Sequence, residues 1–324
     1  MRIGFFAHVP TLEVFKVWEF YRQDIEILES LGHEVVPARR WRQLPLNVDL
    51  YYVWWWTWAF QPLALGRLLG KPVVITGVLQ DKPFSTRPWR ERALIAAALR
   101  FASRNVFLSR QELALVSQEL KVREPRCIPL GIDTGLYCPD GAPREDFVLT
   151  VLWMERRNVR RKCAVEIIEA IPAVVSRFPQ MRFVIAGEQN NGYPEVQEAV
   201  RRLGVEEFVS FPGLISREKK IELLRRCRIY LQPSRYEGFG LAVLEAMSCG
   251  APVITSPAGA VPEVVGDSGV FLPEPTPEAI SRAILELWPD EDRRARLGTE
   301  GRRRAEELFS LDARKERIRG LLEE

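Results

Sequence analysis

Short apolar runs of strand length alternate with stretches of helical length along most of this chain, and no other feature of the sequence restricts its fold as strongly. The alternation begins at residues 2–7 (RIGFFA), stops at residues 139–146 (PDGAPRED) and resumes at residues 147–152. The interrupting segment is rich in Pro, Gly and charge, which is typical of an exposed linker. Strands that alternate with helices in this way form parallel sheets covered by helices on both faces. We therefore predict two Rossmann-like, doubly wound α/β domains, at residues 1–140 and 146–307.

The amino-acid composition argues against several classes of protein. A formal net charge of +3 over 324 residues is too small to indicate nucleic-acid binding. The five cysteines form no Cys-x-x-Cys pair and are odd in number, which indicates neither a zinc site nor a disulfide framework. No apolar run reaches the length of about 18 residues that marks a membrane span. We expect a cytoplasmic protein that does not bind nucleic acid.

Common nucleotide-binding and metal-binding patterns are absent from the sequence. The first apolar run contains only Gly4, so it lacks the G-x-G-x-x-G pattern of dinucleotide-binding folds, and no G-x-x-x-x-G-K-[ST] loop occurs anywhere. The chain has only two histidines, His8 and His33, which excludes a histidine-rich metal site. The chemistry of the chain must therefore be sought in other motifs.

The segment at residues 229–257 (IYLQPSRYEGFGLAVLEAMSCGAPVITSP) has the pattern of an anion-binding loop. A strand ends near Pro233, a loop containing Gly238 and Gly240 follows, and a helix begins near Leu241. A helix N-terminus presents unpaired N–H groups and a positive dipole end, both of which favour phosphate. Glycines in such a loop allow a ligand to approach the backbone closely.

Two glutamates flank this loop, Glu237 before it and Glu245 one turn into the helix. An ionised carboxylate offers two acceptor oxygens, which suits it to bind the paired hydroxyls of a sugar. In isolation, two glutamates at this spacing would be interpreted as solvent-exposed charges. The glycines between them and the strands on either side favour a binding site.

The segment PSRYEGFGLAVLEAMSCGAPVITSPAGAVPEVV resembles the signature of group 1 (family 4) retaining glycosyltransferases, with Glu237 and Glu245 as the E-x7-E pair. Residues 127–133 (CIPLGID), 182–187 (RFVIAG) and 211–213 (FPG) resemble further segments of that family in the same order. The resemblance implies a GT-B fold, in which two Rossmann-like domains face a cleft and the second domain binds most of the donor sugar nucleotide. It also implies that the C-terminal helix, at 308–324, packs back on the first domain.

The resemblance implies a role for each matched residue. Arg157 and Lys162 would contact the donor diphosphate, Glu245 would bind the ribose hydroxyls, and Glu237 would bind the donor sugar. The remaining positions implied to contact the donor are the backbone at Phe239, Gly240 and Leu241 beside the sugar, and Gly213 and Leu214 near the base. Cations and helix N–H groups can stabilise a departing diphosphate, so we expect no metal and no cofactor beyond the donor substrate. The alternative is that residues 156–162 form an exposed basic run with no ligand.

The first domain departs from the family pattern. Many relatives have a histidine after the strand equivalent to residues 72–76, where this chain has Gly77. His8, after the first strand, is another candidate to contact sugar or phosphate, although a lone histidine is more often structural. The tryptophans at 54–58 (WWWTW) are candidates to stack on an acceptor, or else they pack in the core.

Residues 87–104 combine five arginines with the apolar run ALIAAAL. Such a basic amphipathic helix is a candidate for peripheral contact with the anionic inner face of a membrane, as in some relatives. The alternative is an ordinary crossover helix that buries its apolar face against the sheet.

The sequence as a whole predicts a retaining glycosyltransferase that moves a sugar from a nucleoside diphosphate sugar to a hydroxyl of a glycan, lipid or small-molecule acceptor. Because Gly77 replaces the usual histidine, a non-catalytic GT-B protein that binds a nucleotide sugar, or one that assists a partner enzyme, remains an alternative. A GT-B relative with other chemistry, such as an epimerase or a phosphorylase, is a second alternative.

Overall fold

The computed structural model describes residues 1–79 and 84–323, and in these residues twelve strands form two separate six-stranded sheets. The first unit of the chain consists of residues 1–131 together with 309–324, and the second unit consists of residues 132–308. Every pair of neighbouring strands runs parallel in both sheets. The prediction of two Rossmann-like α/β sheets is confirmed.

The first unit begins with a strand–helix–strand unit, the basic element of a parallel sheet. The strands of its sheet are β1 (Arg2–Phe6), β2 (Glu34–Ala38), β3 (Leu50–Trp54), β4 (Val73–Gly77), β5 (Arg104–Phe107) and β6 (Pro125–Cys127). Its helices before residue 131 are α1 (Val14–Val17), α2 (Glu19–Ser30), α3 (Phe60–Leu69), α4 (Trp89–Phe101) and α5 (Arg110–Glu119), with short 3-10 helices at Trp41–Gln43, Trp56–Trp58 and Phe84–Thr86. The strand order is β2-β1-β3-β4-β5-β6. Every residue of β3 and β4 is buried, as expected for central strands covered on both faces.

The second unit repeats the alternation with a different strand order. Its strands are β7 (Glu145–Val151), β8 (Arg182–Ala186), β9 (Val209–Ser210), β10 (Cys227–Gln232), β11 (Val253–Thr255) and β12 (Gly269–Phe271). Its helices are α6 (Arg156–Arg161), α7 (Ala164–Val175), α8 (Tyr193–Leu203), α9 (Arg217–Arg226), α10 (Leu241–Ser248), α11 (Val261–Val265), α12 (Pro277–Leu287) and α13 (Glu291–Phe309), with a 3-10 helix at Glu206–Phe208. The order β12-β11-β10-β7-β8-β9 changes direction between β7 and β10. Ligands of open α/β sheets bind outside the carboxyl ends of the strands at such a switch point.

The last helix, α14 (Leu311–Glu323), belongs to the first unit and packs against α2. Its Arg314 is completely buried and donates to Asp24 Oδ1 through Nε (2.8 Å) and Nη2 (2.7 Å). The other oxygen of Asp24 accepts from Tyr52 Oη and Trp54 Nε1, both at 3.1 Å. A buried ion pair with additional hydrogen-bond donors therefore attaches the C-terminal helix to the first sheet.

The boundary between the units differs from the predicted linker. The first unit ends at Gly131, whereas the sequence placed its end at residue 140 and an exposed linker at 139–146. Arginines explain the difference, because Arg225 Nε donates to Cys138 O (2.6 Å) and Arg302 Nη1 donates to Thr134 O (2.9 Å). These contacts hold the segment after residue 131 on the second unit, and composition alone does not reveal them.

Candidate active site

Most of the predicted site residues of the second unit lie at the switch point of its sheet. β7 and β10 are neighbours, with Val148 opposite Ile229 and Leu149 opposite Tyr230. The segment after β7 leads into α6, and the segment after β10 leads into α10. Because the strands are parallel, both segments emerge at the same edge of the sheet, where their side chains can act on one ligand.

Glycines shape the loop between β10 and α10. Gly240 precedes α10 with φ = +92°, a left-handed conformation that L-residues rarely adopt. Gly259, on the loop after β11, has φ = +56°, and a Cβ there would lie 1.8 Å from the carbonyl oxygen of Glu237. Phe239 is buried, and Leu241 begins the helix. The backbone at Glu237 is thus held directly against the next loop of the sheet.

Glu237 places one carboxylate oxygen among several donors. Gln232 Nε2 and Ser234 Oγ each donate to its Oε1 at 2.9 Å. Arg161 Nη1 lies 3.1 Å and Lys162 Nζ 3.7 Å from the same oxygen. Oε2 of this largely buried side chain accepts no hydrogen bond from residues 1–79 or 84–323. The carboxylate is thus fixed in orientation through one of its two oxygens.

Lys162 follows α6 and connects the two strands of the switch point. Its ammonium donates to Val151 O at the end of β7 (3.2 Å) and to the side-chain oxygen of Gln232 at the end of β10 (3.4 Å). Burial lowers the pKa of Lys162, while the neighbouring Glu237 carboxylate opposes that shift. Lys162 and Glu237, both predicted from the sequence, therefore lie side by side.

Arg157 lies on the exposed surface of α6, one helical turn before Arg161. Residues four apart share a helix face, so Arg157 lies on the face that brings Arg161 to Glu237. Arg161 also donates to Tyr236 O at 2.9 Å. The sequence interpretation missed Arg161, although its i, i+4 spacing from Arg157 was a usable signal.

Glu245 is buried inside α10 and pairs with a cation that the sequence did not indicate. Lys220 Nζ of α9 lies 2.5 Å from Glu245 Oε1, and the Glu245 side chain is only 5% exposed. Burial alone would lower the pKa of Lys220, but the Glu245 carboxylate raises it above its usual value. Oε2 of Glu245 accepts no hydrogen bond within the described part of the chain. In both glutamates, other side chains of the protein therefore contact Oε1, while Oε2 accepts no hydrogen bond within the described part of the chain.

Gly213 and Leu214 lie beyond β9, at the outer part of the sheet. Gly213 has φ = +73°, and its carbonyl accepts from Gly187 N, just after β8, at 2.9 Å. Leu214 is 72% exposed. Two strands, β7 and β8, lie between β9 and the strand that precedes Glu237, so Gly213 and Leu214 lie away from the other predicted residues.

In the first unit, the sheet changes direction between β1 and β3, and aromatic residues lie at that point. His8, after β1, stacks on Trp58 with ring centroids 4.1 Å apart, and Trp58 is 44% exposed. Trp54 and Trp56, in contrast, are buried in the core. The tryptophan cluster therefore divides between packing and an exposed aromatic surface.

Gly77, at the end of β4, lies close to the backbone of Trp55. Its φ is +140°, and a Cβ there would lie 3.3 Å from Trp55 N and 3.2 Å from a carbon of the indole ring. Trp55 itself has φ = +80°, and its N–H donates to Thr76 O at 2.7 Å. This backbone arrangement leaves little space for a side chain at position 77.

Among residues 1–79 and 84–323, no group of three or more metal-ligating side chains occurs. Within the same residues, no helix is long and apolar enough to cross a membrane.

Most of the second unit matches a known protein family. Residues 149–304 match the family model of glycosyl transferases, group 1. The chain is 34% identical over 188 residues to the MMP alpha-(1->4)-mannosyltransferase of Mycolicibacterium hassiacum, covering 56% of this chain and 44% of that protein. A GDP-mannose-dependent monoacylated alpha-(1-6)-phosphatidylinositol monomannoside mannosyltransferase of Corynebacterium glutamicum is 29% identical over 215 residues, with coverage of 60% and 55%. A GDP-mannose-dependent alpha-(1-6)-phosphatidylinositol monomannoside mannosyltransferase of Mycolicibacterium smegmatis is 31% identical over 212 residues, with the same coverage of 60% and 55%. The chain thus spans about half the length of these relatives.

Solved structures match the whole chain. The sucrose-phosphate synthase of Thermosynechococcus elongatus superposes with a TM-score of 0.80 at 19% identity, covering 99% of this chain and 98% of that one. Anabaena HepE in complex with UDP and glucose superposes with a TM-score of 0.78 at 19% identity, covering 100% and 99%. This similarity confirms the predicted GT-B pair of Rossmann-like folds. Just under half of this chain, residues 149–304, is therefore similar to the group 1 glycosyltransferases.

Proposed function

We propose that this chain transfers a sugar from a nucleoside diphosphate sugar to an acceptor hydroxyl, with retention of configuration and without a metal ion. The observation that carries the proposal is the convergence of Lys162, Arg161 and Glu237 at the switch point of a sheet that belongs to a glycosyltransferase family. The donor would bind to the second unit.

The charges of this site suit a diphosphate leaving group. Arg161 and Lys162 bring two positive charges to the single negative charge of Glu237, and Arg157 adds a third on the same face of α6. The first N–H groups of α10 add positive partial charge at the end of the loop. Departure of a nucleoside diphosphate develops negative charge, which preorganised cations and N–H donors stabilise. In this proposal these groups supply the neutralisation for which other transferases use a metal.

The two remaining carboxylate oxygens suit the hydroxyls of the donor. Oε2 of Glu245 would accept from the ribose, and Oε2 of Glu237 would accept from the transferred sugar. A buried carboxylate with one oxygen already engaged loses little further freedom when the second oxygen binds a hydroxyl.

We propose retention because the segment from Pro233 to Val265 resembles the signature of retaining glycosyltransferases, and the leaving diphosphate can itself receive the acceptor proton. The bond to the leaving phosphate breaks while the acceptor hydroxyl attacks from the same face. The hydroxyl proton passes to the leaving phosphate oxygen, so atoms and charges balance.

For the acceptor, we propose that Trp58 and His8 of the first unit form the binding surface. An exposed aromatic face at a switch point can stack on a sugar ring or an apolar group. The names of two relatives include phosphatidylinositol, which makes a lipid headgroup one candidate class beside glycans and small molecules.

The exposed side of α4 supports a proposed contact with an anionic membrane surface. Ile95 and Leu99 are buried on one side of this helix, while Arg90, Leu94 and Phe101 are exposed on the other. A helix with basic and apolar residues on its exposed side can bind the headgroup region. Co-sedimentation with phosphatidylglycerol vesicles tests this contact, and Phe101→Asp should reduce it.

Calorimetric titration with UDP, GDP, ADP and their sugars tests the donor site. Lys162→Ala and Glu245→Ala should each weaken nucleoside diphosphate binding by about tenfold or more, since each removes a charged contact. Lys219→Ala is the matched control, because Lys219 is exposed and pairs only with Glu222 among the described residues, at 2.7 Å. Unchanged affinity in both site variants would refute the assignment.

Product analysis tests the reaction. The anomeric proton signal of the product should show the configuration of the donor, and a chelator should leave the rate unchanged. Nucleotide-sugar binding without transfer or hydrolysis would instead support the alternative, a non-catalytic binding protein, which the close packing at Gly77 favours.

A further inference from the structure

The ion pair between Lys220 and Glu245 has an unusual environment. The two side chains come from different helices, α9 and α10, and are 24% and 5% exposed. Their charged atoms lie 2.5 Å apart. A pair this sheltered is strong enough to fix the orientation of the carboxylate, unlike an ion pair on an open surface.

Tyr137 forms a platform beneath this pair. The Lys220 ammonium lies 5.4 Å from the centroid of the Tyr137 ring, a cation–π distance. The ring is buried, and its residue is anchored through its backbone, because Ser248 Oγ (2.6 Å) and Arg302 Nη1 (2.7 Å) both donate to Tyr137 O. The ammonium is therefore held by a negative carboxylate on one side and by a rigid aromatic face on the other.

The protonation states agree with this arrangement. Burial, with a contribution from Glu245, raises the pKa of Tyr137 to about 12, so the phenol is neutral near pH 7. The carboxylate raises the pKa of Lys220, so the ammonium stays charged over the same range. An aromatic ring and a charged ammonium are the partners that a cation–π contact requires.

We propose that Lys220 is a positioning residue that holds Glu245 Oε1 so that Oε2 is available to the ribose hydroxyls of the donor nucleotide. The inference rests on the proposed function, in which Glu245 binds the ribose. Lys220 acts through Glu245 and need not touch the nucleotide. Without it, the carboxylate would gain rotamers in which neither oxygen is presented, and ribose recognition would weaken.

The experiment compares a nucleotide that has ribose hydroxyls with one that lacks them. The probes are UDP, GDP or ADP, whichever binds the full-length wild-type chain most tightly, and its 2′,3′-dideoxy analogue. Dissociation constants are measured by calorimetry for the wild type, Lys220→Met and Lys220→Arg. Lys219→Met serves as the control on the same helix, and Tyr137→Phe keeps the aromatic platform while removing its hydroxyl.

We expect the wild type to prefer the ribonucleotide by about tenfold or more, the size of a charged hydrogen bond. Lys220→Met should raise the dissociation constant of the ribonucleotide by about tenfold and leave that of the dideoxy analogue within about twofold. Lys220→Arg, Lys219→Met and Tyr137→Phe should keep most of the preference.

Two results would overturn the inference. If Lys220→Met retains the full preference for the ribonucleotide, Lys220 does not position Glu245. If both dissociation constants rise in parallel, Lys220 contacts the phosphates or merely supports the fold. If Lys220→Met does not fold, Lys220→Gln is judged by the same ratio. Failure of the wild type to bind any of the three diphosphates would refute the proposed function itself, which separates the two conclusions.

Discussion

Replacement of Gly259 by alanine tests whether backbone contact between two loops fixes the position of Glu237. Gly259 is left-handed, with φ = +56°, and an added Cβ would lie 1.8 Å from Glu237 O. Real Cβ atoms essentially never lie closer than 3.0 Å to another heavy atom, so one of the loops must move by at least about 1.2 Å to accept the methyl group. The shift would fall on the residue that we assign to the donor sugar.

The expected effects on stability and on activity differ in size. The left-handed conformation alone costs alanine about 1–2 kcal/mol of folding free energy. A displacement of about 1 Å in a catalytic group can lower the rate about a hundredfold. We therefore expect Gly259→Ala to reduce kcat/KM for the donor by about two orders of magnitude, a loss much larger than its loss of stability would explain.

Gly204 provides a matched control within the same unit. It follows α8 with φ = +63°, and a Cβ there would meet no atom within 4 Å. Gly204→Ala carries the same conformational cost without a steric clash, so it should lower the unfolding midpoint but leave kcat/KM unchanged. Donor turnover and chemical unfolding are measured for both variants. Equal kcat/KM values in the two variants would refute the reasoning.

Three further predictions concern both units. Arg314→Met leaves the carboxylate of Asp24 buried without its cation and should destabilise the first unit by about 3–5 kcal/mol. Urea unfolding followed by tryptophan fluorescence measures this loss, and an unchanged unfolding midpoint would show that the ion pair is dispensable. Because burial lowers the pKa of Lys162, diphosphate affinity should fall with rising pH before an ordinary lysine titrates. Lys162→Arg should remove this fall, and identical pH profiles of the two proteins in calorimetry would contradict the prediction. Trp58→Ala should raise KM for the acceptor several-fold and leave donor affinity unchanged, and a shift in donor affinity instead would argue against the proposed acceptor surface.

Tryptophan fluorescence suits the unfolding experiment because seven of the nine tryptophans lie in the first 100 residues. Trp54 donates directly to Asp24, so its signal reports on the environment of the Arg314 pair. The uneven distribution of tryptophan therefore permits the first unit to be followed with little signal from the second.

Local patterns in the sequence predicted the elements that carry the donor site. The strand predicted at 147–152 is observed at Glu145–Val151, and the helix predicted from Leu241 begins at that residue. These elements could be predicted because the apolar runs, and the glycines at their ends, are local features of the sequence. Residue types then identified Glu237 and Glu245 as candidates before any contact was known.

Contacts between elements distant in sequence could not be predicted in the same way. Lys220 reaches Glu245 only because α9 packs beside α10, and 25 residues separate them. Arg225 and Arg302 attach the segment after residue 131 to the rest of the second unit by hydrogen bonds to backbone carbonyls. The amino-acid composition of the segment does not indicate such contacts. Trp54 and Trp56 are core residues and Trp58 is exposed, a division that depends on the direction of each side chain after β3.

The charged groups of the proposed donor site come from different elements of the second unit. Both carboxylates lie on one continuous segment from the loop after β10 through α10, whereas their cations come from α6 and α9. The two carboxylates that we propose to bind hydroxyls therefore keep a spacing set by one continuous segment, the loop and the first turn of α10. Substitutions at Lys162 should then act on the phosphates, and substitutions at Lys220 should act on the ribose. In this proposal, recognition of phosphate and of ribose can vary independently, because different elements supply the groups that perform each task.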